Sequence, residues 1–339
     1  MRASVLHGVN DLRMEERPDP VAGARQVVVR VESVGVCGSD IHYYEHGRIG
    51  SYVVDRPMVL GHEAAGVVAA VGAGVTRVTV GDRVSIEPGV PDLVCSECLA
   101  GRYNLCPAMR FYATPPYDGA FAELVIAHES FTHPVPDDMD LDRAALLEPV
   151  SVAVWACRKA GVTAGDRVLV TGAGPVGLLA LQVARAFGAT ETVVTDVQPA
   201  RLAVASALGA TRVVDTRSDD GVPLGGGPEP TVLLECSGHP TAVGLGLRSL
   251  ARAGRAVLVG MGGDEATLPV SRIQERELTV TGTFRYANTW PTAIALVASG
   301  RVDLAPLVTG HFPLAEAESA LTAARTDPGA LKSVVRPQE

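Results

Sequence analysis

The stretch Gly172-Ala173-Gly174-Pro175-Val176-Gly177 leaves this chain few folds to choose from, because it follows the apolar run Arg167–Thr171 and opens the helical pattern Pro175–Phe187. A β-branched run that ends in glycines and turns at once into a helix starts a βαβ unit, and such a unit requires a parallel sheet. Gly172 permits the tight turn, Gly174 lets backbone N–H groups approach a pyrophosphate, and Gly177 lets helix and strand pack closely. Pro175 and Val176 open the helix, whose N-terminus adds partial positive charge. Asp196 ends the next apolar run, where a carboxylate can hold a ribose hydroxyl pair, and Arg201 lies close enough in sequence to swing towards a phosphate. A glycine fingerprint alone is common. Placed between a strand and a helix, with an acidic residue ending the second strand, it marks a dinucleotide site.

The texture of the chain changes near residue 150. Before it, short β-branched runs broken by turn residues (Gln26–Ser33, Gly66–Val71, Asp82–Ile86, Ala120–Val125) predict a compact all-β barrel. From 151 to 283 the strands Arg167–Thr171, Thr192–Thr195, Arg212–Val214, Thr231–Glu235 and Ala256–Val259 alternate with the helices Pro175–Phe187, Ala200–Leu208 and Thr241–Leu250. That alternation predicts a doubly wound α/β sheet. Gly221–Pro230 reads as a surface loop inside that domain. Beyond Phe284 come helical stretches at Thr292–Ser299 and Leu314–Ala324, then the strand-like Leu331–Val335. A chain of 339 residues suits two domains.

Charge removes several classes of partner. The net charge of −9 argues against a nucleic-acid or anionic-membrane binder. The longest uncharged run, Val168–Ala184, is too short and too rich in glycine and proline to span a bilayer comfortably. Arg13, Glu15, Glu16 and Arg17 arrive before any signal-like apolar segment, so a cytoplasmic protein is expected.

Six cysteines are too few for a disulfide scaffold of this size, and in a cytosolic chain they point to metal or catalysis. Cys157 and Cys236 sit in apolar contexts and read as small buried hydrophobes. Cys95, Cys98 and Cys106 cluster with Asp92 just before them. Cys37 opens Cys37-Gly38-Ser39-Asp40-Ile41-His42, and His62 and Glu63 follow in Gly61-His62-Glu63. Thiolate, imidazole and carboxylate are all zinc ligands, and a catalytic zinc keeps one position open for substrate or water.

Gly61-His62-Glu63-Ala64-Ala65-Gly66, with Gly72 and Val75 after it, resembles the zinc-dependent medium-chain alcohol dehydrogenase family, and in particular its polyol branch, that of the sorbitol and L-iditol dehydrogenases. The resemblance runs over essentially the whole chain: Val36–His42, Gly47–Gly50, Pro57–Glu63, Gly101–Leu105, Ala113–Pro116, Glu148–Ser151, Gly172–Gly177 and Phe284–Pro291. Thr283-Phe284-Arg285-Tyr286 and Asn288-Thr289-Trp290-Pro291 are far more specific than a glycine fingerprint. The family implies a GroES-like β-barrel catalytic domain made from both chain ends, residues 1–150 and 284–339, with a Rossmann NAD-binding domain, residues 151–283, inserted between them.

Position by position, the resemblance implies Cys37, His62 and Glu63 as catalytic zinc ligands, and Glu148 as a carboxylate that ligates the ion or binds its water. Asp40 matches the carboxylate that orients the ligating histidine. Ser39 and His42 match a proton relay, and Tyr43, Phe111, Thr114, Arg285 and Tyr286 match a polyol pocket. Asp92, Cys95, Cys98 and Cys106 match a structural zinc lobe, with aspartate where the family normally carries its first cysteine. Zinc accepts a carboxylate oxygen as well as thiolates, so an Asp-Cys₃ site is feasible; the alternative is a metal-free loop with three free thiols. His46, His128, His133, His239 and His311 match nothing functional and read as ordinary loop or surface residues. The expectation is an NAD- and zinc-dependent dehydrogenase that oxidises a sugar alcohol, assembled as a homotetramer. A cyclitol, an aminocyclitol, L-threonine or a simple secondary alcohol remains open as substrate. A non-catalytic relative would show damaged metal ligands, and every matching position here is intact.

Overall fold

A computed structural model describes residues 1–217, 227–263 and 265–339. The chain divides into two units, one made of Met1–Glu148 with Leu304–Glu339 and the other of Pro149–Asp303.

The first unit is organised around the strand Gln26–Gly35, whose run of valines is buried along almost its whole length. It pairs antiparallel with Glu63–Val71, with Leu124–His128 and with Lys332–Arg336. The full sheet has seven strands; Arg83–Ile86 and Thr132–Pro134 extend it beyond Glu63–Val71, and Val308–Pro313 extends it beyond Lys332–Arg336. A strand buried on both faces has no polar alternation, which is why it reads as a continuous apolar run. Gly66 sits where a side chain would fall 2.0 Å from the carbonyl oxygen of Arg30, so only glycine lets these strands approach there. The pairing of Lys332–Arg336 with Gln26–Gly35 brings the end of the chain into the sheet its first residues build.

The run expected as the strand Ala120–Val125 is shifted, and the strand is Leu124–His128. Ala120 and Phe121 instead donate backbone N–H bonds to Gly61 (2.7 Å) and Leu60 (2.9 Å), wrapping the turn that carries His62. Gly61 takes a φ of +86°, and a side chain there would strike the ring of Phe121 at 2.6 Å.

The second unit holds a six-stranded parallel sheet ordered Arg212–Asp215, Glu191–Asp196, Arg167–Thr171, Val232–Glu235, Arg255–Leu258, Thr279–Gly282. The chain reverses direction across the sheet after Arg212–Asp215, so the topological switch point lies at Arg167–Thr171, where ligands of doubly wound sheets bind. Leu169, Leu233, Val243 and Leu247 are among the apolar side chains packed between this sheet and the helix Pro240–Ser249.

One expectation needs revision. Residues 284–303 belong to the second unit, not the first, so the boundary falls after Asp303. Helix Trp290–Ala298 is held there by Trp290, 1% exposed, and by Arg158, which donates to the carbonyl of Asn288 and the hydroxyl of Thr292, both at 2.7 Å. Gln182 and Asp303 exchange two further bonds at 3.0 and 2.7 Å. The helix Leu147–Ala160 is masked in the sequence by Pro149 in its first turn and by Val150, Val152 and Val154, which alternate as in a strand. The loop expected at 221–230 lies, for residues 221–226, outside the described residues.

Candidate active site and metal centres

In the first unit, a ring nitrogen of His62, Cys37 Sγ and a carboxylate oxygen of Glu63 lie within 4.8 Å of one another. Local backbone chemistry puts them there. Cys37 is the N-cap of helix Gly38–His46, and Asp40 in the first turn accepts the Cys37 N–H through Oδ2 at 3.0 Å. The other oxygen of Asp40 accepts the Gly61 N–H at 2.9 Å and lies 3.6 Å from His62 Nδ1. One fully buried carboxylate thus ties the cysteine-bearing helix to the histidine-bearing turn. Burial works against the charge on Asp40, but His62 and the N–H donors of Cys37 and Gly61 outweigh it and hold the carboxyl below its ordinary value. His62 is held well above the ordinary imidazole range: burial opposes its charge, and Asp40 and Cys37 overcome that. The Asp40 and Cys37 side chains that favour a proton on this ring also favour a cation bound beside it.

One further observation fits a metal. Among the described residues, buried Glu63 Oε2 has no hydrogen-bond partner, whereas Oε1 accepts from Lys332 Nζ at 2.7 Å. A buried carboxylate oxygen left with free lone pairs is costly unless something electropositive meets it. Glu148, also buried, stands outside the group of three whose ligand atoms converge, so Glu63 is the carboxylate of this cluster. On helix Gly38–His46, Ser39 and His42 are one turn apart, with His42 exposed and its ring edge-on to His46. Tyr43 and Phe111 are buried, the Phe111 ring lies 5.8 Å from that of His62, and Thr114 donates its N–H to the Phe111 carbonyl at 3.2 Å.

A second cluster forms a small lobe of the same unit. Ligand atoms of Asp92, Cys95, Cys98 and Cys106 all lie within 4.8 Å of one another. Asp92 Oδ1 accepts the N–H groups of Cys95 (3.0 Å) and Val94 (2.9 Å), which hold its carboxyl far below the ordinary range. Cys106 Sγ accepts the Asp92 N–H at 3.3 Å and Cys95 Sγ that of Cys98 at 3.5 Å, so backbone donors already face two sulfurs. Burial, and then hydrogen bonding with the Cys95 and Asp92 side chains, push the Cys98 thiol up to about 12. Tyr103 in the lobe donates to buried Glu87 at 2.6 Å, and Glu87 also meets His133 Nε2 at 3.0 Å. His133 is therefore a largely buried strand residue that helps seat the lobe, not a surface one. Cys157 is buried and Cys236 half-buried, as their apolar contexts indicated, and burial raises the pKa of both thiols.

In the second unit, Gly172 adopts a φ of +87°, and a side chain there would meet Ser237 at 2.9 Å. Gly177 lies so close to the Gly172 carbonyl that a Cβ would fall 1.8 Å from its oxygen. Gly174 faces open space as the N-cap of helix Pro175–Ala186 and provides no side-chain cap, which leaves first-turn N–H groups free for an anion. Asp196 Oδ2 accepts the Ala173 N–H at 2.6 Å and Oδ1 that of Gln198 at 2.8 Å. Arg201 carries a buried Nε without a partner. Sequence reading missed Glu235: buried at the end of its strand, it accepts from the hydroxyls of Thr171 (3.1 Å) and Ser237 (2.5 Å) and from the N–H groups of Ser237 and Gly238, fixing the turn that packs on Gly172. Arg285, at a φ of +52°, stacks its guanidinium 4.7 Å from the Phe284 ring centre, and Tyr286 is buried edge-on against Trp290.

Residues 23–137 match the alcohol dehydrogenase GroES-like domain and 175–299 match the zinc-binding dehydrogenase domain. Sorbitol dehydrogenase of Macaca fascicularis is 45% identical over 319 residues, covering 92% of this chain and 89% of that one. The chain belongs to the zinc-binding alcohol dehydrogenase family. The sorbitol dehydrogenase of Gallus gallus is 44% identical over 96% of this zinc-binding dehydrogenase and 94% of its own length. Among solved structures, L-idonate 5-dehydrogenase from Escherichia coli superposes with a TM-score of 0.92 at 31% identity, covering 99% of this chain and 98% of that one. The 2R,3R-butanediol dehydrogenase of Bacillus subtilis does so at 0.90 and 32%, covering 99% of both chains. Both domains expected from the sequence, the GroES-like barrel and the Rossmann-type sheet, are thus those of the family, and its members work with zinc and a nicotinamide coenzyme. Among the described residues no helix is long and apolar enough to cross a membrane.

Proposed function

We propose that this chain oxidises a secondary hydroxyl of a sugar alcohol, of the sorbitol or xylitol kind, to the ketone and passes the hydride to NAD. The observation that carries this reading is the convergence of Cys37, His62 and a half-partnered Glu63 in a chain 45% identical to a sorbitol dehydrogenase. When bound, zinc supplies a Lewis acid that acidifies the substrate hydroxyl, and NAD supplies the hydride acceptor.

Cys37, His62 and Glu63 hold the catalytic ion, and Asp40 keeps the His62 ring aimed at it. Ser39 would accept a hydrogen bond from the reacting hydroxyl and, giving up its own hydroxyl proton as it takes that one, start a relay that ends at His42, whose exposed ring would hand the proton to water. Glu148 supplies a second carboxylate near the metal. Tyr43 and Phe111 exclude water, while Thr114, Arg285 and Tyr286 meet the hydroxyls beyond the reacting carbon. In the coenzyme unit Gly172, Gly174, Pro175, Val176 and Gly177 seat the pyrophosphate. Asp196 holds the ribose hydroxyls with the lone pairs its two backbone bonds leave, and Arg201 lies close by. Asp92, Cys95, Cys98 and Cys106 hold a structural zinc. The active form is a cytoplasmic homotetramer.

A spectrophotometric screen of polyols, cyclitols, L-threonine, L-idonate and short secondary alcohols with NAD⁺ and NADP⁺ tests the reading. Highest kcat/KM on an open-chain polyol with NAD⁺ supports it; a simple alcohol or L-threonine turning over faster overturns it.

A further inference from the structure

Lysine is seldom fully buried, yet Lys332 is 3% exposed on the strand Lys332–Arg336. Its ammonium donates to Glu63 Oε1 at 2.7 Å and to the carbonyl of Val36, the residue before Cys37, at 2.8 Å. Sheet register makes this contact. Gly35 pairs with Glu63 on one side and with Val334 on the other. A side chain on Gly35 would lie 2.1 Å from Glu63 Oε2, so only a glycine there lets the carboxylate lie across the strand towards the lysine. The two oxygens of Glu63 consequently differ: one is hydrogen-bonded to a cation, and the other is buried with no partner among the described residues.

We propose that Lys332 is a positioning residue of the metal centre, holding one oxygen of Glu63 so that the carboxylate offers the ion its other oxygen alone. This rests on the assignment of Glu63 as a zinc ligand. An oxygen already shared with an ammonium is the poorer donor to a metal, so the pair defines which lone pairs face the ion and keeps Glu63 a one-oxygen ligand. The strand Lys332–Arg336 thereby reaches a cluster, Cys37, His62 and Glu63, that lies in the first 63 residues.

The test compares the full-length wild type with Lys332→Met, Glu63→Gln and the double variant. Zinc dissociation constants are taken by chelator competition, alongside cadmium NMR of the metal-exchanged enzyme. The three-thiolate lobe gives a separate cadmium resonance that reports on folding. Lys332→Met is expected to weaken zinc binding at the Cys37 site about 10- to 100-fold and to shift only that site's resonance. The double variant is expected to match Glu63→Gln within about 2-fold, because a residue acting through Glu63 has nothing left to act on. Glu63→Gln binding zinc like wild type would remove the ligand assignment itself and the proposal with it. Glu63→Gln weakened with Lys332→Met unchanged would overturn the proposal alone. Additive losses in the double variant, or a lobe resonance that moves too, would overturn it by making Lys332 a general structural residue. Should Lys332→Met not fold, the double variant, which leaves no uncompensated buried charge, decides by the same comparison with Glu63→Gln.

Discussion

Asp196 holds the coenzyme loop by its backbone: its Oδ2 accepts the Ala173 N–H at 2.6 Å, between the first two glycines of the fingerprint. In the proposed coenzyme site, a carboxylate fixed there would face the ribose 2′ position. Against the 2′-phosphate of NADP, two like charges about 4 Å apart repel by roughly 4 kcal/mol at an effective dielectric near 20. Asp196→Ala is expected to relax the preference for NAD over NADP by at least about 10-fold in kcat/KM, and also to slow the NAD reaction because the loop loses its tether. Steady-state kinetics with both coenzymes checks this; an unchanged ratio would show that Asp196 serves the loop only.

Metal content separates the two clusters. Wild type is expected to carry two zinc ions per chain. Asp92→Ala removes one ligand of the lobe and the acceptor of the Cys95 and Val94 N–H groups, so about half the zinc should be lost and the melting temperature should fall. Metal analysis with calorimetry reads both. One zinc in the wild type would make the lobe a metal-free loop.

Acid should weaken the coenzyme unit through Asp166. Burial pushes its carboxyl up, but Thr231, the Thr163 N–H and Arg255, at 2.5 Å, hold it below its ordinary value. The unfolded chain then binds the proton more readily, so the stabilisation is complete above the unfolded pKa near 4 and is lost as pH falls through the folded one. The melting-temperature gap between wild type and Asp166→Asn is expected to be widest at pH 6 to 7 and to shrink below about pH 4. A gap independent of pH would mean that packing, not charge, is what the substitution removes.

In the proposed pocket, substrate preference is expected to depend on Arg285. Zinc and coenzyme handle the reacting carbinol alone, so preference for a polyol needs donors that reach the neighbouring hydroxyls, and a guanidinium offers five in a rigid fork. Hydrogen bonds to a charged group contribute about 1.5–3 kcal/mol, so Arg285→Ala should cost roughly 10- to 150-fold in kcat/KM on a polyol. A short mono-alcohol should be nearly unaffected and zinc content unchanged. Equal loss on both substrates would place Arg285 in the support of its unit, where it already stacks on Phe284.

Much of this molecule was legible from residues close together in the chain. The order strand, glycine turn, helix, acidic strand end is a local pattern, and the structure places Arg167–Thr171 and Glu191–Asp196 side by side as that pattern requires. Cys95, Cys98 and Cys106 with Asp92 are likewise a local cluster, and the lobe closes on itself. Cys37, His62 and Glu63 were legible only through resemblance, since spacing alone does not say that a helix N-cap and a turn 25 residues later meet; buried Asp40 joins them. What the sequence could not state is any partnership set by sheet register. Lys332 is an ordinary lysine in a β-branched run until the last strand pairs with Gln26–Gly35, and Glu235 an ordinary strand end until Thr171 lies beside it. Residues 284–303 read as part of the terminal domain until Trp290 and Arg158 show which core they fill. Local pattern is governed by backbone dihedrals and side-chain period, which act over a few residues. The choice of a buried partner hundreds of residues away is governed by which surfaces are left to cover once the sheets have formed, and only the folded chain decides that.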